Sequence, residues 1–228
     1  MQSVIFRDRI DAANNLVQRL SPLLLREDQI HSVLITVLAI PRGGVVIGDI
    51  VATKFDAKLD IIVSRKIGAP LNEEFAIGAV MPDGTYLVDN DTVLALNIPQ
   101  NYIESQVNLK VKEIEHRLLN YRGSKEYDTK LRGKIVILVD DGIATGATIR
   151  SAAQWLKTKQ NCQQLIIAVP VGPQDTVDKL REVAGNNDQV IVLHSPEPFI
   201  AVGRFYQNFD QVSDEEVKII MRKHGYVI

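Results

Sequence analysis

Two adjacent carboxylates, Asp140 and Asp141, end an apolar run and are followed at once by small and hydroxyl-bearing residues, VILV-DD-GIATGAT over 136–148. Carboxylates at that place can accept hydrogen bonds from hydroxyl groups or hold a metal ion. Ala144, Gly146 and Ala147 let a backbone approach a ligand closely, and Thr145 and Thr148 add hydroxyl donors. If a helix begins there, its open N–H groups and dipole stabilise an anion, the dipole by about 0.3–1 kcal/mol. A ligand that needs both halves within a few ångströms is a sugar phosphate, a diol at one end and a phosphate at the other. Two other readings stay open at this point. The doublet can be a helix cap plus a solvated charge, or two acids of a metal-dependent phosphatase. The second would want its nucleophile and its acid spaced apart, and a TGAT loop directly after them argues against it.

The elements that must position these residues follow from periodicity. Ile10, Ala13, Val17, Leu20 and Leu24 fall at helical spacing within 8–25. VLITVLAI (33–40) reads as a buried strand, PRGG (41–44) breaks it, VVIGDIVATKF (45–55) reads as a helix and LDIIVSRK (59–66) as the next strand. That is a βαβ unit, which implies a parallel sheet. Residues 67–85 hold Gly68, Pro70, Gly78, Pro82 and Gly84 and read as a mobile excursion flanked by FAIGAV and TYLVD. The segment 99–121 sets Ile103, Val107, Val111, Ile114, Leu118 and Tyr121 on one stripe of a long helix. Strands at 134–140, 164–171 and 189–195 alternate with helices near 147–159 and 173–183, and Ser213 with Glu216 has capping-box spacing before a last helix, 213–225. The expectation is a single α/β domain over 1–228, with ligands outside the carboxyl ends of the strands.

Composition narrows the function classes. The 228 residues are 46% apolar with a formal net charge of −2, enough for a sizeable core and no electrostatic case for nucleic acid or membrane surfaces. One cysteine, Cys162, excludes an intramolecular disulfide and a cysteine metal cluster. Arg7, Asp8 and Arg9 precede any apolar run, so no signal peptide is expected, and Val33–Ile40 is far too short for the roughly 20 residues of a membrane span. A cytoplasmic protein is the expectation.

As an ordered string, VILV-DD-GIA-TG-AT resembles the phosphoribosyl pyrophosphate motif of type I phosphoribosyltransferases. The resemblance implies that fold: a mainly parallel sheet flanked by helices, a flexible lid and, here, a helical insertion at 99–121. It implies that Asp140 and Asp141 hold the ribose hydroxyls, and that Ala144, Thr145, Gly146, Ala147 and Thr148 cradle the 5-phosphate. Arg42, Gly43 and Gly44 match the loop that holds pyrophosphate, although a tight turn with a surface arginine reads the same residues. Arg65 and Lys66 match the basic residues before the catalytic loop, which assigns them to pyrophosphate and 67–80 to a lid; a solvated strand end is the alternative. Ala144 stands where hypoxanthine-guanine enzymes place an acid, and adenine enzymes instead use a lid glutamate. Glu73, with Glu74 beside it, is the general acid–base candidate, or else a solvated loop charge. The implied catalytic set is Lys66, Arg65, Asp141 and Glu73.

Within 194–212, the part VGRFYQNFDQV (202–212) resembles the tail of purine salvage enzymes, where an aromatic stacks on the base. Phe199, Phe205 and Tyr206 are candidates, against ordinary edge packing, and His194 is either a ligand contact or structural. RKIGAP and VSDEEV bring the chain nearest to a bacterial and archaeal group of predicted phosphoribosyltransferases. The implied cofactor is Mg²⁺ carried by the substrate, with Asp140 or Asp141 reaching it through water rather than as a direct ligand. The implied partners are phosphoribosyl pyrophosphate and a small nitrogen heterocycle, with room for a homodimer and none for nucleic acid or membrane. A regulator that binds the donor without turnover, and a phosphohydrolase, remain as alternatives.

Overall fold

The computed structural model describes residues 4–24, 34–125 and 131–228. Their contacts divide the chain into two units, Met1–Ile62 with Lys130–Tyr226, and Val63–Thr129 with Val227–Ile228. The first unit contains α1 (Arg9–Leu24), β1 (Ile35–Ala39), α2 (Gly43–Lys54) and β2 (Lys58–Ile61). After the second unit's segment it continues with β6 (Ile135–Val139), α5 (Ala147–Thr158), β7 (Gln164–Val171), α6 (Gln174–Val183), β8 (Gln189–His194) and α7 (Asp214–Lys223). The five strands form one parallel sheet in the order β2-β1-β6-β7-β8. Every residue of β1 and of β6 is buried, as charge-free β-branched runs require when helices cover both faces.

Register places the site. Ala39 lies opposite Val139, and the Ile40 N–H donates to the Val139 carbonyl at 3.0 Å, so the loops that leave β1 and β6 emerge side by side. From β1 the chain crosses to β2 on one side, and from β6 it crosses to β7 on the other. With right-handed crossovers these two helices take opposite faces, and the crevice opens at the carboxyl ends between β1 and β6.

α1 packs on α2 and β7 through Ala12, Ala13, Leu16, Val17, Leu20 and Leu24. Ile10, expected on that face, is instead exposed, because the buried stripe runs through Ala12 and Leu16. Leu25 of the expected helix and Val33 of the expected strand lie outside the described residues.

The capping box of α7 forms, with the Glu216 N–H donating to Ser213 Oγ and the Ser213 N–H to Glu216 Oε2. At its other end α7 grips α2: Asp49 Oδ1 lies 2.7 Å from His224 Nε2 and accepts from Lys223 Nζ at 2.8 Å. Burial opposes ionisation of Asp49, but the hydrogen bonds from His224 and Lys223 outweigh it and hold the carboxyl below its ordinary range. A depressed carboxyl stabilises the fold above its unfolded value, about 3.9, and loses that contribution as pH falls through the lower folded value. Asp49→Asn is therefore expected to lower the melting temperature by about 2–4 °C at pH 7, with the gap closing below pH about 4; thermal melts across pH 3–7 check this.

The second unit contains β3 (Arg65–Ala69), β4 (Asn72–Val80), β5 (Tyr86–Val88), α3 (Asn90–Ala95) and α4 (Gln100–Arg122). Its strands form an antiparallel sheet in the order β3-β4-β5. Two expectations are corrected here. The run 59–66 is not one strand: the chain leaves the parallel sheet after β2, and Arg65 and Lys66 open β3 of a different sheet. The strands expected at FAIGAV and TYLVD are present as parts of β4 and β5, but the stretch before them is not a loose excursion, since β3 and the start of β4 occupy 67–69 and 72–74. Gly68 lets two strands meet closely, since a Cβ there would stand 2.6 Å from Glu73 Cα. The long helix is as expected, with Ile103, Ile114, Leu118 and Tyr121 buried. It packs on β3 and β4, and Gly123, in the left-handed region at φ 69°, closes it. Tyr102 donates to the Gly68 carbonyl at 2.9 Å. Among the described residues, no helix is long and apolar enough to cross a membrane.

Candidate functional site

β6 delivers Asp140 and Asp141 to the carboxyl edge of the sheet. The Asp141 N–H donates to Asp140 Oδ1 at 2.8 Å. Burial pushes the Asp140 carboxyl well above the usual carboxylate range, and the charge of Asp141 beside it pushes the same way. Asp141 is compensated differently: its Oδ2 accepts from Arg9 Nε at 2.7 Å.

The loop after the doublet is pinned at both ends and open in the middle. The Ile143 N–H donates to the Val171 carbonyl at 2.8 Å, and Thr176 Oγ1 donates to the Ala144 carbonyl at 3.1 Å. Gly146 sits at φ +71°, and a Cβ there would run into the Thr176 methyl, so both the turn and the packing call for glycine. α5 then begins, with the Arg150 N–H reaching back to the Gly146 carbonyl; the amides of Ala147, Thr148 and Ile149 precede that first turn of bonds. Ala144, Thr145, Ala147 and Thr148 are exposed around a cavity of about 180 Å³ lined by Asp140 and by Gly142 to Ile149. A carboxylate and a helix N-terminus thus share one cavity wall, the arrangement that suits a hydroxyl and an anion on a single ligand.

The neighbouring loop closes on the doublet from β1. The Pro41–Arg42 peptide is cis. Gly43 lies so near Asp141 that a Cβ would collide with its carboxylate, and a Cβ on Gly44 would stand 3.0 Å from Asp140 Cα. Arg42 Nη1 pairs with Asp214 Oδ1 at 3.3 Å. Arg42, Gly43, Gly44, Asp140, Asp141 and the 144–148 loop therefore belong to one edge of the first unit.

The segment after β8 reaches the same edge. Tyr206 donates its hydroxyl hydrogen to the Asp141 carbonyl at 2.6 Å, and a Cβ on Gly142 would meet Val202. Burial, with the negative Asp141 close by, pushes the Tyr206 phenol up. Phe205 and Tyr206 are both buried, which corrects their place among the stacking candidates: they serve as packing. Phe199 is half-buried, with its ring 5.1 Å from that of Phe205, and keeps an outward surface. His194 is exposed, with the Phe6 ring edge-on at 5.6 Å.

Arg65, Lys66 and Glu73 belong to the second unit. Arg65 Nε bonds Glu113 Oε2 at 3.0 Å, and Lys110 bonds the other oxygen at 2.8 Å. Lys66 and Glu73 are exposed.

Two residues of the site went unread in the sequence, Arg9 and Phe209. Arg9 Cζ lies 3.9 Å from the centre of the Phe209 ring. Arg9 and Asp141 are 132 positions apart, so no local spacing could link them. The only signal was a cluster of charge at the start of an amphipathic helix.

A family model described as a phosphoribosyl transferase domain matches residues 8–198. Two curated proteins of Mycobacterium tuberculosis, from strains CDC 1551 / Oshkosh and ATCC 25618 / H37Rv, whose names assign them to the phosphoribosyl transferases, are 37% identical over 213 residues. The alignment covers 93% of this chain and 45% of each relative, so the chain spans about half the length of the curated relatives it matches. Among solved structures, TT1426 from Thermus thermophilus is 33% identical with a TM-score of 0.79, over 96% of this chain and 98% of that one.

Proposed function

This chain belongs to the phosphoribosyl transferase domain family, and we propose that it moves ribose 5-phosphate from phosphoribosyl pyrophosphate to a ring nitrogen of a nucleobase or related heterocycle, releasing pyrophosphate. The observation that carries the proposal is the cavity wall on which Asp140 meets the open N-terminus of α5. In this reading the Asp140 and Asp141 carboxylates accept hydrogen bonds from the ribose hydroxyls. The amides of 145–148, with the Thr145 and Thr148 hydroxyls, donate to the 5-phosphate. Arg42 and the first amides of α2 face the diphosphate.

The anomeric C–O bond breaks, its electron pair leaves with pyrophosphate, and the acceptor nitrogen forms the new C–N bond with inversion. Positioning and fixed electrostatics supply most of the catalysis in such a step. Asp140 and Asp141 are the carboxylates that would hold Mg²⁺, through water, were it to arrive with the diphosphate. Among the described residues, no cluster of three His, Cys, Asp or Glu forms a cage for it. When bound, the ion would neutralise charge on the leaving group. For Arg65 and Lys66 as pyrophosphate ligands, Glu73 in proton transfer and Phe199 as the base-stacking ring, the support is the family resemblance.

The test is incubation with phosphoribosyl pyrophosphate, Mg²⁺ and a small-molecule cell extract, followed by mass spectrometry for products heavier by one ribose phosphate. The expected result is such a product, absent with Asp141→Asn. Asp141→Asn removes hydrogen bonds to a charged acceptor, worth about 1.5–3 kcal/mol, so donor affinity in Mg²⁺ is expected to fall about 10- to 100-fold. A donor that binds and is never consumed would mark a non-catalytic regulator. Phosphate release from simple phosphomonoesters would mark a phosphohydrolase.

A further inference from the structure

Arg9 sits at the site without facing the cavity. Its Nε donates to Asp141 Oδ2 at 2.7 Å, its Nη1 donates to the Asp210 carbonyl at 2.8 Å, and its guanidinium lies 3.9 Å over the Phe209 ring. The side chains are only 11% (Arg9) and 16% (Asp141) exposed, so the pair is largely out of water. Gly43 packs against both members: a Cβ there would stand 2.9 Å from Arg9 Nε. A guanidinium already committed to a carboxylate, a carbonyl and an aromatic face is not a free anion receptor. Its planar fork instead fixes the direction of what it holds.

The same residue ties two segments together. The Ile5 and Phe6 N–H groups donate to the Phe205 carbonyl, the Gln207 N–H to the Phe6 carbonyl and the Asn208 N–H to the Arg7 carbonyl. The stretch just before α1 thus runs alongside 205–208, and Tyr206 from that stretch holds the Asp141 carbonyl while Arg9 holds its carboxylate.

We propose that Arg9 is a positioning residue for the donor. It locks Oδ2 of Asp141, presents Oδ1 to a ribose hydroxyl and, through Phe209 and Asp210, couples that orientation to the 202–210 segment. This rests on the reading of Asp140 and Asp141 as the ribose-binding pair. The role is orientation rather than charge, so a lysine that keeps the charge and loses the fork does not replace it.

The experiment is calorimetric binding of phosphoribosyl pyrophosphate in excess Mg²⁺ to wild type, Arg9→Ala, Arg9→Lys, Asp141→Asn and the Arg9→Ala/Asp141→Asn double variant, with thermal melts of each. Wild type is expected to bind. Arg9→Ala is expected to lose about tenfold in affinity and Arg9→Lys nearly as much. The double variant is expected to bind no more weakly than Asp141→Asn alone, since Arg9 acts through that carboxylate. If Arg9→Ala does not fold, Arg9→Gln takes its place. Equal or tighter binding by the Arg9 variants, or losses that simply add in the double variant, overturns the proposal while leaving the donor reading intact. A folded wild type that binds no donor overturns the donor reading, and the proposal with it.

Discussion

Asp140→Asn is expected to melt at a higher temperature than the parent protein at pH 7.5, and at nearly the same temperature near pH 4, while losing at least about tenfold in donor affinity. Asp140 is pushed up by burial and by the charge of Asp141. A carboxyl with a raised folded value binds its proton more tightly in the native state than in the unfolded chain. Stability therefore falls as pH rises from the unfolded value, about 3.9, through the raised one, and stays low above it. An asparagine has no such loss, so the gap between variant and parent opens across that window. The side-chain oxygen of asparagine can still accept the Asp141 N–H, now at 2.8 Å, so the loop keeps its local bond. The gain is expected at about 2–4 °C for each kcal/mol relieved, and melts from pH 4 to 8 with parallel calorimetry measure both halves. A variant that melts lower than the parent at pH 7.5 would show that this carboxylate serves the fold rather than a ligand. Strain kept at a site for function and released by substitution is a familiar trade.

Gly43→Ala is expected to weaken donor binding strongly. The added carbon would occupy the place of the Asp141 carboxylate and stand 2.9 Å from Arg9 Nε. Neither neighbour can yield cheaply, because Arg9 is held by Phe209 and by the Asp210 carbonyl. The carboxylate must rotate away, which breaks the Arg9 pair and misdirects the proposed hydroxyl contact together. Overpacking of this kind costs about 1–3 kcal/mol of stability, hence a melting temperature lower by about 2–10 °C. Donor affinity is expected to fall about a hundredfold, since alignment at ångström scale governs such sites. Affinity within about threefold of wild type would place the ribose hydroxyls away from Asp141.

Where the chemistry lies in one short stretch, it could be read from the sequence. VILV followed by two acids and TGAT specifies a strand, its end and the start of a helix from composition alone, and β6, the loop and α5 lie there. The PRGG break between β1 and α2 was legible for the same reason. Sheet membership was not. LDIIVSRK read as one strand, yet LDI and RK belong to different sheets, and nothing in side-chain type marks where a chain steps from one to the other. Glycine misled in 67–80, where Gly68 and Gly78 serve close strand pairing rather than looseness. α3 is too short to show a period and has no buried residue to mark a face. Arg9, Tyr206 and Phe209 act at Asp141 only through tertiary contact.

The ion pair between Arg42 and Asp214 at 3.3 Å carries a consequence for selectivity. An anion arriving at Arg42 does not meet a bare cation; it exchanges with a carboxylate already there. The exposed pair is worth about 0–1 kcal/mol, so exchange is easy. It is also nearly charge-neutral for a singly charged visitor, which brings little that Asp214 did not supply. A ligand shifts an equilibrium only by its differential affinity for the two states. Under the proposed role of Arg42, an incoming anion must displace Asp214, and a monoanion gains less from that exchange than a polyanion with several oxygens.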